Sequence, residues 1–375
     1  MDRPDKTYHR IAFIPGDLNG ITVTKAVSNA NLDLERHLNL QIYPESFPYN
    51  TDYFLEKGIK ELGDEELNEL KKFDAIFLGA VGDDTRIARG TMEKGILLKI
   101  RKEFNQVVNL RPVVLFDGVC SRIVDKGSRD IDMVICRENT EGLYCGGGRI
   151  ENAGTDDEVG IQEMRCSYRV VKRLTEYAIE VAKSRKRFPT PRVHMIFKSN
   201  VLEHAGKIWD RVYNEFRQRE DVDIRYMHFD IFLANMVDHP EYFDVVVTEN
   251  LMGDGATDLG AILQGGIGMA VSGNINIDGK FPSMFEPIHG TAPDKWYGLD
   301  ERGNPLPGTF DAGKVQLIRP EAALFSYAML LEHIGEVKAG GVLKRAALTN
   351  LRHSEYKFMP LDELVERACK YVRDA

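Results

Sequence analysis

Two aspartates stand four residues apart in the segment Asn250–Asp258 (NLMGDGATD). At a strand-to-helix junction, this spacing puts the carboxylates of Asp254 and Asp258 on one helix face. Two oxygen ligands so close together suit Mg²⁺ or Mn²⁺. The competing interpretation is that Asp254 caps the helix and Asp258 is a favourable acid in its first turn. A third acid, Asp230, interrupts the apolar run YMHFDIFLAN. Taken alone, it fits a solvated or capping residue better than a metal ligand.

Three arginines form a candidate site for carboxylates. Arg101 and Arg111 lie near the two ends of RKEFNQVVNLRP, and Arg137 follows the apolar run DMVIC. A guanidinium binds a carboxylate through two parallel hydrogen bonds, so a dicarboxylic acid needs several of them. The alternative for each arginine is a surface ion pair, which contributes little to stability.

A tyrosine and a lysine are candidates for proton transfer. Tyr144 ends RENTEGLY and Lys198 begins KSN, and both stretches follow apolar runs. Tyr144 suits a general acid and Lys198 a general base if their pKa values are tuned for the task. A core tyrosine and a surface lysine are the plain alternatives.

The segment Phe285–Asp294 (FEPIHGTAPD) surrounds a histidine with glycine and proline. Such a rigid turn can hold a ribose or phosphate through its backbone groups. No GxGxxG motif follows a strand candidate, so a nucleotide site here is not of the ordinary Rossmann kind.

Apolar β-type runs alternate with helical patterns, which predicts an α/β fold. Ligands of such sheets bind beyond the carboxyl ends of the strands, where the residues above stand. The predicted strands are Arg10–Pro15, Phe73–Leu78, Asp132–Cys136, Arg192–Phe197 and Phe243–Thr248. The predicted helices are Val23–His37, Tyr168–Lys186, Ala205–Arg219 and Glu321–Ile334. Two segments rich in glycine are predicted as a long surface loop, Lys295–Lys314, and as the start of a protruding arm, Cys145–Gly154.

The composition is that of a soluble globular protein. The chain has 375 residues, more than one core usually organises, so about two domains are expected. A net charge of −9 opposes non-specific binding to nucleic acid or to anionic membranes. No signal peptide and no stretch of ~20 apolar residues is present in the sequence. Five scattered cysteines without a CxxC pair predict free thiols in a reducing cytoplasm.

These motifs resemble, in order, those of the β-decarboxylating dehydrogenases, the isocitrate/isopropylmalate dehydrogenase family. The resemblance runs from Ile11 to about Gly335, and the tartrate/D-malate branch looks nearest. It implies a two-domain isopropylmalate/isocitrate dehydrogenase-like fold with a continuous mixed sheet. A nucleotide-side domain, 1–112 plus 265–375, and a metal, substrate and dimerisation domain, 113–264, are expected, with the active site in the cleft between them.

The resemblance also assigns roles to individual residues. It implies that Tyr144 is the general acid and that Lys198 is the catalytic lysine, contributed by the partner subunit of a homodimer with shared active sites. The implied metal ligands are Asp254, Asp258 and, from the partner, Asp230. The implied substrate-binding residues are Arg101, Arg111, Arg137, Lys94, Leu97 and Leu98. The implied cofactor-binding residues are Asn250, Glu286, His289, Gly290, Ala292 and Asp294.

The implied reaction is oxidative decarboxylation of a malate-like 2-hydroxy acid. Lys198, through a water, takes the hydroxyl proton while hydride passes to NAD, and Tyr144 protonates the carbon that loses carbon dioxide. Mg²⁺ or Mn²⁺ is the expected metal, with K⁺ as a further candidate. Asp294 favours NAD because an acid can bond a ribose 2′-hydroxyl and repels a 2′-phosphate. Lys295 and Arg319 keep NADP as the less favoured alternative.

The sequence departs from the family pattern at several points. Leu18 and Ile21 replace the usual glycine and proline, and a leucine there matters if the backbone needs a positive φ. The adenosine loop is extended over 299–314, and Arg319-Pro320 stands where Asn-Pro is usual. A non-catalytic regulatory paralogue is therefore the alternative function, although the retained catalytic residues oppose it.

The substituent on the substrate is left open by the segment before Arg101. Arg86, Arg89 and Lys94 suit an extra anionic group, such as a third carboxylate or a phosphonate. Leu97 and Leu98 suit an apolar substituent or none. The candidate substrates are D-malate or tartrate, 3-isopropylmalate, and isocitrate-like or phosphonomethylmalate-like acids.

Overall fold

The computed structural model describes residues 8–38, 40–315, 318–352 and 360–374. Its strands are β1 (His9–Gly16), β2 (Ile42–Ser46), β3 (Ala75–Ala80), β4 (Val108–Val114), β5 (Asp132–Glu138), β6 (Gly148–Glu151), β7 (Val159–Gln162), β8 (Arg192–Phe197), β9 (Asp223–His228), β10 (Val245–Thr248), β11 (Val271–Ile275), β12 (Ser283–Pro287), β13 (Tyr297–Leu299) and β14 (Pro305–Phe310). Its helices are α1 (Asn19–Leu38), α2 (Thr51–Lys57), α3 (Asp64–Leu70), α4 (Lys99–Glu103), α5 (Tyr168–Arg185), α6 (Glu203–Phe216), α7 (Phe229–Asp238), α8 (Asn250–Leu263), α9 (Ala312–Val315), α10 (Glu321–His333), α11 (Val337–Arg352) and α12 (Leu361–Asp374), and Glu93–Leu98 forms a π-helical turn.

The chain divides into two compact units. Unit 1 comprises Met1–Asn105, Phe116–Cys120 and Gly266–Ala375, and unit 2 comprises Gln106–Leu115 and Ser121–Gly265. The domain boundaries expected from sequence were 112/113 and 264/265. The main difference is that β4 and the residues just before it belong to unit 2.

Unit 1 contains strands in the order β2-β1-β3-β12-β11. The pairs β1–β2, β1–β3 and β3–β12 are parallel, and β11–β12 is antiparallel. The strands β1 and β3 are almost entirely buried, which explains their continuous apolar sequences. A sheet that is buried on both faces must be covered by apolar helices. One of them, α10, is buried along most of its length.

Unit 2 contains strands in the order β4-β5-β10-β8-β9. The pairs β5–β10, β10–β8 and β8–β9 are parallel, and β4–β5 is antiparallel. The carboxyl ends of β5, β8 and β10 therefore meet at one edge of the sheet. RENTEGLY, KSN and the Asn250–Asp258 segment all begin at that edge.

The predicted α/β class with mixed strand directions is confirmed, and each predicted strand and helix has a counterpart within a few residues. The prediction of a long surface loop over Lys295–Lys314 is wrong. This segment contains the antiparallel hairpin β13–β14, in which Tyr297 pairs with Phe310, and the short helix α9. The hairpin turn forms because the Asp300 carboxylate accepts hydrogen bonds from the backbone N–H groups of Arg302 and Asn304. The predicted arm corresponds to a second hairpin, β6–β7.

Among the described residues, no helix has the length and apolar character needed to cross a membrane.

Candidate active site

Helix α8 lies close against strands β4 and β5 because glycines face them. A Cβ on Gly253 would come 2.5 Å from Cγ of Arg137, and one on Gly260 would come 2.6 Å from Cγ2 of Val113. Glu249 caps the helix by accepting from the N–H groups of Leu251 and Met252. The alternative interpretation of Asp254 as the helix cap is therefore wrong, because the cap lies five residues earlier.

Arg137 is the centre of a buried polar cluster. Its side chain is 3% exposed, and its guanidinium pairs with Oδ1 of Asp254. Nε and Nη2 donate to Oδ1 of Asn250 at 3.1 and 2.7 Å, and the guanidinium lies over the ring of Tyr144. Asn250, predicted to bind the cofactor, is thus engaged in fixing Arg137, and its Nδ2 donates to the carbonyl oxygen of Glu141.

Tyr144 donates its hydroxyl hydrogen to Oδ2 of Asp254 at 2.6 Å. Burial and this hydrogen bond raise the pKa of Tyr144 to about 12. A protonated phenol at neutral pH is the form that a general acid requires. The structure therefore brings Asp254 together with two side chains, those of Arg137 and Tyr144, that stand more than 100 residues earlier in the sequence.

The two aspartates of α8 differ in their electrostatic surroundings. Burial alone would raise the pKa of Asp254, but the charge of Arg137 and the hydrogen bonds from Tyr144 and Arg137 hold it below its ordinary value. Burial and the nearby charge of Asp254 raise the pKa of Asp258. A divalent cation would relieve this repulsion between like charges, so the donor set fits Mg²⁺ or Mn²⁺.

The described residues of one chain do not gather three or more acidic, histidine or cysteine side chains into a metal-binding group. Asp230 instead lies in the first turn of α7, where Oδ1 accepts from Nζ of Lys198 at 2.7 Å. The hydrogen bond from Lys198 lowers the pKa of Asp230. The predicted catalytic lysine and the predicted third metal ligand therefore form one pair. Their expected role in a partner's active site stays a prediction.

Arg111 lies on the same face of unit 2 as Arg137. Strands β4 and β5 pair Asn109 with Arg137, so Asn109, Arg111 and Arg137 point towards α8. Arg111 is 6% exposed, and Nη1 lies 3.5 Å from Oδ1 of Asn109. A buried arginine at this position suits recognition of a carboxylate.

Unit 1 contains the segment predicted to bind the nucleotide. Burial lowers the pKa of His289, so its imidazole is neutral at pH 7. Nε2 of His289 is buried and has no hydrogen-bond partner among the described residues, so it is available to a ligand. The N–H of Asn19 donates to the carbonyl oxygen of Thr291 at 3.4 Å, which joins this segment to the start of α1. Ala292 has a φ of 46°, so the turn is tight, and Gly290 and Asp294 are exposed.

Arg101 and Glu286, predicted to bind substrate and cofactor respectively, form a buried ion pair in unit 1. Nη2 of Arg101 lies 3.0 Å from Oε1 of Glu286, and both side chains are at most 10% exposed. No signal in the sequence indicates this pair, since the two partners lie 185 positions apart.

The residues before Arg101 form a π-helical turn, Glu93–Leu98, which sequence reasoning missed. Gly95 is buried, and its carbonyl oxygen accepts a hydrogen bond from the N–H of Leu62. A Cβ on Gly95 would collide with the carbonyl oxygen of Lys60. Lys94 is exposed, whereas Leu97 and Leu98 are half-buried. Such turns often occur at functional sites.

The fold and the full sequence can be compared with those of known proteins. The family model described as isocitrate/isopropylmalate dehydrogenase matches residues 10–370. The chain belongs to this family. It is an enzyme of the β-decarboxylating dehydrogenase type, an oxidoreductase.

Relatives in this family are named 3-isopropylmalate dehydrogenase. The protein from Clavibacter sepedonicus is 38% identical over 91% of this chain and 90% of its own length. The one from Thermobifida fusca (strain YX) is 38% identical over 92% and 91%. The one from Bifidobacterium longum (strain NCC 2705) is 40% identical over 88% and 89%. The expected similarity to the tartrate/D-malate branch is corrected by these names.

Two solved structures share the fold of this chain. The crystal structure of isocitrate dehydrogenase from Methylococcus capsulatus superimposes with a TM-score of 0.80 at 25% identity, over 97% of this chain and 99% of that chain. The TT0538 protein from Thermus thermophilus gives a TM-score of 0.80 at 24% identity, over 99% of this chain and 70% of that chain.

At Leu18, where the resemblance leads us to expect a glycine, the backbone has a glycine-like conformation. Leu18 has a φ of 48° and is 6% exposed. The loop thus keeps the left-handed residue that a glycine would supply, with the strain that a side chain adds. The second departure, Arg319, pairs with Oε1 of the buried Glu321 at 2.6 Å.

The segment predicted to select the substrate is joined to the hairpin β13–β14. The hydroxyl of Tyr297, at the start of hairpin β13–β14, donates to Oδ2 of the buried Asp83 at 2.7 Å. Of the bases expected to meet an anionic substituent, Arg86 pairs with Asp52 at 2.5 Å. The side chain of Arg89 is 93% exposed.

Proposed function

We propose that this enzyme oxidises a malate-like 2-hydroxy acid with NAD and releases its β-carboxylate as carbon dioxide. The cluster around Asp254 carries the proposal, because one carboxylate meets both the proposed general acid and a proposed substrate arginine. The family membership supports the reaction class, and the cluster supports its assignment to these residues.

In the proposed mechanism, Arg111 and Arg137 bind the substrate's carboxylates, and Arg101 is the third guanidinium for the same acid. Asp254 and Asp258, with Asp230 of the partner subunit, would hold Mg²⁺ or Mn²⁺. When bound, the cation supplies a positive charge that favours the ionised hydroxyl and the developing negative charge. Lys198, as the neutral amine, accepts the hydroxyl proton through a water, and the ammonium group that results pairs with Asp230. Tyr144 donates its phenolic proton to the carbon that loses carbon dioxide.

The proposed cofactor is NAD. The neutral His289, the turn at Ala292 and the exposed Asp294 would contact the nucleotide. Pairing with Glu321 leaves Arg319 poorly suited to a 2′-phosphate, which supports NAD over NADP.

The proposed substrate substituent is apolar, with 3-isopropylmalate as the first acid to test. The names of the relatives, the half-buried Leu97 and Leu98, and the pairing of Arg86 with Asp52 all support this choice. Lys94 is exposed, so an anionic substituent is the competing possibility that the assay must address.

The test is an NADH absorbance assay with Mn²⁺ and K⁺. The panel contains 3-isopropylmalate, D-malate, tartrate isomers, isocitrate, homoisocitrate and a phosphonomethylmalate, with Lys94→Ala assayed alongside. We expect 3-isopropylmalate to be preferred and Lys94→Ala to leave it unchanged. A preferred acid with an anionic substituent, impaired only by Lys94→Ala, would replace the apolar proposal. Absence of turnover with NAD and with NADP would refute the proposed function.

We also propose a homodimer. The surfaces of α7 and α8 expose four large aliphatic side chains, which a second copy would cover: Ile231 (51%), Leu251 (43%), Ile262 (40%) and Val237 (39%). Light scattering should give twice the chain mass for the wild type. The Ile231→Asp variant should shift the mass towards that of a monomer, whereas Leu55→Asp, at an exposed position of α2 in unit 1, supplies the matched control.

A further inference from the structure

Glu286 sits in a polar group that the sheet of unit 1 builds. Strands β11 and β12 pair Ser272 with Glu286, and Asn274 lies two residues along β11 on the same face. Oε1 of Glu286 accepts from Nδ2 of Asn274 at 2.9 Å and from Oγ of Ser272 at 3.2 Å. All three residues are at most 7% exposed, so the carboxylate is fixed by neutral donors within the sheet.

The same oxygen accepts from Nη2 of Arg101 at 3.0 Å. Arg101 belongs to α4, which directly follows the π-helical turn. A long arginine side chain has considerable rotamer freedom, and a charge-assisted hydrogen bond to a fixed acceptor removes much of it. Oε1 thus connects the orientation of the Arg101 guanidinium to strands β11 and β12.

We propose that Glu286 is a positioning residue for substrate binding, which holds the Arg101 guanidinium ready for a substrate carboxylate, and is not a nucleotide ligand. This inference rests on the proposed role of Arg101 in the proposed function. Its physical basis is pre-organisation: an arginine already held in one orientation loses less entropy when the acid binds.

The experiment measures KM for the acid and KM for NAD separately in Glu286→Leu and Glu286→Gln. Leucine removes the acceptor, so KM for the acid should rise about 30-fold or more while KM for NAD stays within about 3-fold. Glutamine retains an acceptor oxygen and should restore KM for the acid to within about 5-fold of the wild-type value. Rescue by glutamine distinguishes positioning from general damage to the sheet.

Two further variants keep the ion pair and loosen its support. Ser272→Ala and Asn274→Val each remove one donor to Glu286, and each should raise KM for the acid by about 3- to 10-fold without changing KM for NAD. They test the proposal even if Glu286→Leu fails to fold, which thermal unfolding would reveal. In an Arg101→Ala background, Ser272→Ala should cause no further rise, because the arginine it acts through is gone.

A rise in KM for NAD with unchanged KM for the acid would overturn the proposal and make Glu286 a nucleotide ligand. Unchanged values for both would overturn it as well. Failure of the wild type to oxidise any acid would refute the proposed function instead. In that event, calorimetric Kd values for 3-isopropylmalate and for NAD decide the role of Glu286 by the same comparison.

Discussion

The phenol of Tyr144 and the carboxylate of Asp254 are joined by a hydrogen bond of 2.6 Å. The proposed proton donor is thereby held against a proposed metal ligand, although different elements of the fold position the two residues. Asp254 is fixed by α8, and Tyr144 by the turn that follows β5. The bond therefore reports on the correct assembly of two elements.

Tyr144→Phe should lower kcat about 100-fold or more, because general acid catalysis typically contributes ~10²–10⁴-fold. KM for the acid should change much less, since phenylalanine retains the ring beneath Arg137. Tyr43→Phe, at an exposed tyrosine of β2, is the control and should match the wild type. A kcat for Tyr144→Phe within about 3-fold of the wild-type value would exclude Tyr144 as the acid.

Metal binding should be readable without turnover. At a Mn²⁺ concentration about 100 times Kd, binding stabilises a folded protein by about 2.7 kcal/mol, which should raise the Tm of the wild type by several degrees. Asp258→Asn removes one ligand and should abolish most of this rise. Without metal it should be no less stable than the wild type, because it relieves the repulsion from Asp254. Asp156→Asn, at an exposed aspartate, should retain the full response.

Leu18 offers a test of backbone strain. Leu18→Ala should destabilise the fold, since a buried side chain is lost. Leu18→Gly should be more stable than Leu18→Ala by about 1 kcal/mol, because only glycine adopts a φ of 48° without strain. At the exposed helical position Lys25 the order should reverse, with alanine more stable than glycine by about 1 kcal/mol. Denaturant unfolding of the four variants measures both differences, and the same order at both positions would contradict the strain.

Cofactor preference should depend on Asp294 and not on Arg319. Asp294→Ser removes the charge that repels a 2′-phosphate and should shift the ratio of kcat/KM for NAD over NADP by about 10-fold towards NADP. Arg319→Gln retains a donor for Glu321 and should leave that ratio within about 3-fold. The opposite pattern would assign the 2′-position to Arg319.

Buried His194 should make stability depend on pH. Burial and the nearby charges of Arg225 and Arg192 lower its pKa to about 4, below the ordinary value of 6.5. The unfolded chain binds this proton more readily, so stability falls as pH drops from about 6.5 to about 4. The full loss is up to about 3 kcal/mol. His194→Leu should flatten this part of the pH profile of unfolding free energy, and an unaltered slope would show that His194 does not cause it.

Much of the proposed site follows from local sequence. The aspartates at 254 and 258 lie on one helix face because their spacing matches the helical repeat. RENTEGLY and KSN share a sheet edge with them because parallel strands end together. The first feature needs only neighbouring residues. The second needs the strands to be parallel, which the alternation of strands and helices predicts.

The remaining features depend on partners distant in the sequence. Arg86 contacts Asp52, and Tyr297 contacts Asp83. Neither contact can be predicted from the spacing of the two residues in the sequence. The sequence of the hairpin β13–β14 predicts a loop because it is rich in glycine and proline, although cross-strand pairing overrides that preference. The pairing of Glu286 with Arg101 is hidden for the same reason, since the motif around Glu286 contains no trace of Arg101.

The π-helical turn at Glu93–Leu98 has an evolutionary consequence. Such a turn accommodates one residue more than an α-helix would at the same place. Loss of a single residue here would convert the turn to an α-helix. The segments on either side of the turn, including α4, would keep their positions. Because each helical residue turns by about 100°, the same deletion would present different side chains beside the fixed Arg101. A lineage could therefore change which acid it accepts in one genetic step, without rebuilding the residues that carry out the chemistry.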